Sequence, residues 1–139
     1  MSWSALVLAG SRGADCPVAA LATSGLDTIA IRLPAHPVMR AVVAALGRPV
    51  VAPSANLSGR LTATRLEDAL ADLGEAVAIA VDDGACRLGI ESTIVACTGG
   101  TAKMLRPGAL APEDIEAVAG RLETVGSRDA PTPQAPGML

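Results

Sequence analysis

Residues Arg48–Gly59 read RPVVAPSANLSG, an apolar run that passes directly into proline, small hydroxyls, an amide and a glycine. Val50, Val51 and Ala52 have the composition of a short buried strand, and Pro53–Gly59 that of the loop after it. Such a loop is either a plain turn or an anion cradle, because it offers backbone N–H groups, two hydroxyls and a flexible glycine. The rest of the chain decides between the two readings.

Outward from this stretch, strand and helix patterns alternate. On the N-terminal side, SALVLA (residues 4–9) reads as a strand and GADCPVAALATSG (13–25) as loop. DTIAIRLP (27–34) alternates Ile29, Ile31 and Leu33 and reads as a strand closed by Pro34. HPVMRAVVAALG (36–47) puts Val38, Val42 and Leu46 on one helical face, with Pro37 in the first turn and Gly47 as cap. On the C-terminal side, TATRLEDALADLG (62–74) spaces Leu66, Leu70 and Leu73 as a helix does. AVAIAVDDG (76–84) reads as a strand entering an Asp-Gly turn. ESTIVACTGG (91–100) and AKMLRPG (102–108) read as two strands joined at the glycine pair. APEDIEAVAGRL (111–122) reads as a helix with Pro112 and acids in its first turn. The alternation predicts an α/β domain over residues 1–122. From Glu123 to Leu139 the chain is rich in Pro, Gly and Ser without apolar period, and reads as a flexible linker or tail.

Composition narrows the chemistry. Half of the 139 residues are hydrophobic, but there is no Phe, no Tyr and one Trp, so Val, Ala, Leu and Ile must fill the core. A net charge of −3 excludes a global basic field for nucleic acid and leaves room only for a local patch of arginines. Cys16, Cys86 and Cys97 have no C-x-x-C spacing, which argues against a disulfide framework or zinc site and suits small core residues in a reducing compartment. The N-terminus lacks the pattern of a signal peptide and no segment is long enough to span a membrane, so the chain reads as a cytoplasmic protein.

Ligands of open α/β sheets bind beyond strand ends. Arg32, Ser54, Asn56, Ser92, Thr93 and Arg106 all fall at such places. Arginine forks beside hydroxyls and an amide suit a phosphate or carboxylate. The single histidine, His36, excludes a Ser-His-Asp set, and there is no Walker A or G-x-G-x-x-G sequence. Asp82-Asp83-Gly84 also has the residue types to hold a metal. Each feature also has a plain reading: a turn at Pro53–Gly59, surface ion pairs for Arg32 and Arg106, a structural or solvent-facing role for His36, a simple turn at Asp82-Asp83-Gly84. The residues alone give an anion-binding α/β domain.

The order of four motifs goes further. LDTIAIRLPAHP, RPVVAPSANLSGR, GIESTIV and LRPGAL, in that order, resemble the L-threonylcarbamoyladenylate synthase family over roughly residues 21–122. The resemblance implies a YrdC-like fold, a twisted open mixed β-sheet flanked by helices. It implies a nucleotidyltransferase that makes L-threonylcarbamoyladenylate and pyrophosphate from L-threonine, bicarbonate and ATP, with Mg²⁺ accompanying ATP, for the t6A37 modification of tRNA. By the same resemblance, Thr28, Asn56, Thr64 and Arg106 face ATP, and Arg32, Ser54 and Ser92 face threonine. No residue is a nucleophile or an acid–base catalyst, and tRNA or other proteins of the t6A route are the implied partners. Members of the family open with a Pro-Thr-Glu-Thr segment and a Lys-x-Arg motif that this sequence lacks. It therefore resembles a synthase incomplete at its N-terminus and ending in the inter-domain linker of a two-domain member. Loss of two phosphate-binding cations costs about 2–4 kcal/mol each of transition-state stabilisation. Two other readings stand beside the enzyme. One is a non-catalytic module of the same fold that binds nucleotide or double-stranded RNA. The other is an inactive fragment.

Overall fold

The computed structural model describes residues 3–11, 23 and 28–124. Cys16, the 13–25 loop apart from Thr23, and the tail from residue 125 lie outside them.

Among the described residues, five strands form one mixed sheet. β1 (Trp3–Ser11), β2 (Thr28–Pro34), β3 (Ile94–Ala96), β4 (Ala102–Arg106) and β5 (Leu122–Thr124) are ordered β2-β1-β3-β4-β5. β1 pairs antiparallel with β2 and parallel with β3; β4 runs antiparallel to β3 and parallel to β5. Both antiparallel pairs contain register irregularities, which sharpen the local twist. Among the described residues there are three α-helices, α1 (Pro37–Leu46), α2 (Leu66–Leu73) and α3 (Pro112–Ala119); α1 packs beside β2 and α3 beside β5. This is the α/β class that the alternating pattern predicts.

The core lies where the sheet is central. Ile94, Val95, Ala96, Ala102, Met104 and Leu105 are buried, and Ile94 and Thr93 are fully so. These are aliphatic side chains and one methionine, as a chain without Phe or Tyr requires. The helix ends follow their sequence signals. Pro37 and Pro112 stand in first turns, and Gly47 closes α1 at φ 67°, in the left-handed region that glycine enters at least cost.

Several elements differ from the sequence reading, each for a physical reason. Residues 48–52 do not form a strand, and Val51 is 72% exposed. Residues 76–84 do not form one either, and Ile79 is 84% exposed. A strand needs a lateral neighbour to receive its N–H and C=O groups. Neither stretch pairs with a strand among the described residues. Helix α2 starts at Leu66 rather than Thr62 because the preceding residues are committed elsewhere. Thr62 bonds Glu91, the Thr64 carbonyl accepts from Cys86 N–H at 2.8 Å, and Arg65 is extended. Helix α3 stops at Ala119 before Gly120, and β5 carries Glu123 and Thr124 into the sheet, past the boundary drawn at Leu122. Cys97 is exposed and Cys86 half-buried, so neither is a core residue. Among the described residues, no helix is long and apolar enough to cross a membrane.

Candidate functional site

The sheet register builds the site. Arg32 on β2 lies opposite Leu6 on β1, Leu6 opposite Ile94 on β3, and Ile94 opposite Arg106 on β4. Directly opposed residues project on the same side of a sheet, so Arg32 and Arg106 share one row and one face. Three strand spacings separate their backbones, about 14 Å, a gap two arginine side chains close from either side. The two guanidiniums feel one another. Burial pushes the Arg32 pKa down, the charge of Arg106 pushes it further down, and Glu91 partly restores it. Guanidinium remains protonated throughout the accessible pH range, so the row carries two positive charges against one carboxylate.

Arg106 is held on three sides. Its Nε donates to the Ser92 carbonyl at 3.0 Å. A terminal nitrogen donates to Ser92 Oγ at 3.0 Å and to a Glu91 carboxylate oxygen at 3.3 Å. The Arg106 side chain is 13% exposed, while that of Glu91 is 44% exposed. The other Glu91 oxygen accepts from Thr62 Oγ1. Two backbone features keep the 91–93 segment beside Arg106. Leu110 N–H donates to Thr93 Oγ1 at 3.1 Å. Gly108 passes so close that a Cβ there would stand 2.3 Å from Thr93 N and 2.5 Å from the Glu91 carbonyl.

The Pro53–Gly59 loop is shaped by its own amide. Asn56 Nδ2 donates to the Leu57 and Arg60 carbonyls at 2.9 and 3.0 Å. Arg60 N–H closes a turn on the Leu57 carbonyl at 3.0 Å, with Gly59 at φ 83° as its third residue. Asp72 on α2 grips the turn from outside, accepting Leu57 N–H at 3.2 Å and Arg60 Nη1 at 3.0 Å. Asn56 Oδ1 is buried and has no hydrogen-bond partner. Ser54 is exposed just before the turn. With no strand before it, the loop is held in place from α2.

The structure thus brings Arg106 together with Ser92 and Glu91, sets Arg32 within electrostatic reach of Arg106 and Glu91, and bonds Thr62, three residues beyond Gly59, to the same Glu91. It does not bring every candidate close. Thr28 lies four residues along β2 from Arg32, about 13 Å away. Thr64 packs near the 86–89 segment, where its carbonyl accepts from Cys86. His36 Nε2 contacts an Asp83 oxygen at 2.7 Å, and Gly84 N–H bonds Asp82 Oδ1 at 2.9 Å, so the Asp82-Asp83-Gly84 stretch is a turn with a histidine partner. No group of three or more His, Cys, Asp or Glu among the described residues converges as a metal site. A shallow depression between the start of α2 and Asp82–Ala85 includes none of the candidate residues.

Residues 5–108 match the family described as Telomere recombination, which covers the Sua5, YciO and YrdC proteins. The chain belongs to the Sua5/YciO/YrdC family. It is 45% identical over 98 residues to the threonylcarbamoyl-AMP synthase of Bacillus subtilis, covering 70% of this chain and 28% of that protein. It is 38% identical over 119 residues to the synthase of Pyrococcus abyssi, covering 84% of this chain and 35% of that protein. The crystal structure of P. abyssi Sua5 complexed with L-threonine superposes with a TM-score of 0.83 at 33% identity, over 96% of this chain and 39% of that one. The chain therefore spans roughly a third of the length of these Sua5/YciO/YrdC relatives.

Sequence reasoning missed Glu91, Thr62 and Asp72. Glu91 stands in the quoted ESTIV motif, and a carboxylate beside Ser92 was the available signal. Asp72 gave a different one. It lies in the last turn of α2, the negative end of the helix dipole, where a carboxylate is unfavourable unless it is used elsewhere.

Proposed function

We propose that this chain carries out L-threonylcarbamoyladenylate synthesis, using L-threonine, bicarbonate and ATP. The observation that supports it most is the row of Arg32 and Arg106, with Ser92 bonded to Arg106 just before β3. That pole gathers paired donors for a carboxylate and a phosphate within one face. The names of the Sua5/YciO/YrdC relatives, and threonine in one relative's structure, give the anions their identity.

In this reading, Arg32 holds the threonine carboxylate with Ser54 and Ser92 beside it. Arg106 reaches the ATP phosphates, exchanging its contact with exposed Glu91. Asn56, Thr64 and Thr28 lie along the nucleotide. The threonine amine attacks the bicarbonate carbon and water leaves, giving a carbamate. A carbamate oxygen then attacks the α-phosphorus, and the bond to pyrophosphate breaks. Both steps are bimolecular encounters between anions, so positioning and charge neutralisation supply the rate, with no side-chain nucleophile. Without a convergent carboxylate group, the described residues fit Mg²⁺ only as a companion of the phosphates, held by their oxygens and water. The product then serves threonylcarbamoylation of tRNA at t6A37 in the cytoplasm.

Pyrophosphate release from ATP with bicarbonate, with and without L-threonine, tests the proposal on a sample whose cooperative melting is recorded in parallel. Release that needs both threonine and bicarbonate is expected. A folded sample with no threonine-dependent release overturns the synthase reading and leaves a nucleotide-binding module of the same fold.

A further inference from the structure

The Ser54–Asn56 loop has no sheet to stiffen it. The residues before it, 48–52, are exposed and unpaired with any strand among the described residues. Its fixed shape comes from two layers of contact. Inside, Asn56 Nδ2 holds the Leu57 and Arg60 carbonyls. Outside, the two carboxylate oxygens of Asp72 divide the work: one takes Leu57 N–H and the other takes Arg60 Nη1. The Asp72 side chain is 10% exposed although its partner Arg60 is 66% exposed, so this is not an ordinary solvated ion pair. The carboxylate also sits at the end of α2 where the helix itself disfavours it. A side chain placed against its own helix's interest and bonded only to a distant loop serves the loop.

From this geometry we infer that Asp72 is a positioning residue: it sets the conformation in which the loop presents Ser54 and Asn56 to amino acid and nucleotide. Asp72 itself touches neither substrate. The inference rests on the proposed function for the ligands' identity, but the clamp does not.

The test compares the full chain with Asp72→Ala, Asp72→Asn and Arg60→Ala. Hydrogen–deuterium exchange of residues 54–61 and of the β3 and β4 segments is measured beside ATP affinity by titration calorimetry. In Asp72→Ala, loop exchange is expected to rise and ATP affinity to fall, each by about tenfold, the scale on which loosened positioning acts. β3 and β4 exchange should not change. Asp72→Asn keeps an acceptor for Leu57 N–H and should recover most of the loop protection. Arg60→Ala should lose only the outer half, with a smaller effect. Three outcomes overturn the inference: unchanged loop exchange in Asp72→Ala, faster exchange spread equally through the sheet, or a loosened loop with undiminished ATP affinity. If the parent chain binds no ATP, the nucleotide reading fails, and the loop exchange alone still decides whether Asp72 is the clamp.

Discussion

Arg106 shows how much one side chain carries in this site. It bonds Ser92 through both backbone and hydroxyl and pairs with Glu91, largely out of solvent. Arg106→Ala should lower stability by about 1–3 kcal/mol, because charge-assisted bonds are lost and their acceptors left unpaired. A denaturant melt reads this directly. Glu91→Gln has the opposite sign for ligand: a carboxylate is removed from a site that gathers anions, and ATP affinity should rise by roughly fivefold, about 1 kcal/mol of relieved competition at a partly exposed pair. Weaker ATP binding in Glu91→Gln would mean that Glu91 holds Arg106 in its working position instead. Combined Ser54→Ala and Asn56→Ala should abolish ATP-dependent product formation while melting stays cooperative; undiminished product would remove the loop from the site. At this scale the sequence was informative where chemistry sits at a strand end. The positions of Arg32 on β2, Ser92 just before β3 and Arg106 at the end of β4 were legible for that reason. Glu91, Thr62 and Asp72 were not, since their partners lie 12 to 29 residues away in sequence and only the fold brings them near.

Among the elements, the β3–β4 pair and the segment after it form the firmest unit. Thr93 is fully buried, its hydroxyl accepts Leu110 N–H, and Gly108 lies against the 91–93 backbone. Gly108→Ala should destabilise the chain by about 1–3 kcal/mol or more, since the obstructing atoms are backbone and cannot swing aside. The same change should displace Ser92 and weaken threonine binding; a neutral melting temperature would contradict the packing described. Helices were legible through their punctuation: Pro37 and Gly47 bracket α1, and Pro112 opens α3. Two apolar runs misled, because composition reports a wish to be buried but says nothing of whether a neighbouring strand exists. Val50, Val51, Ile79 and Val81 satisfy every local criterion for strands and remain exposed.

For the molecule as a whole, the order of motifs said more than any element boundary. A mixed sheet with β3 at its centre and β1 beside it joins segments far apart in sequence, and it is this topology that aligns Arg32 with Arg106. The fold class was legible from alternation; strand order and register were not, because pairing partners leave no local trace. The exposed apolar side chains on residues 48–52 and 76–84 predict that the folded chain binds a hydrophobic dye such as anilinonaphthalene sulfonate. Val51→Lys with Ile79→Lys should reduce that fluorescence without lowering the melting temperature; a loss of stability would mean that these residues are packed.

The central claim is that the arginine row is an amino-acid carboxylate site. Titration calorimetry of the folded chain with L-threonine, repeated on Arg32→Ala, tests it most directly. The account predicts saturable binding that weakens at least tenfold in Arg32→Ala, about 1.4 kcal/mol or more, with melting otherwise preserved. Threonine binding that is absent from the folded parent, or equally strong without Arg32, would contradict it.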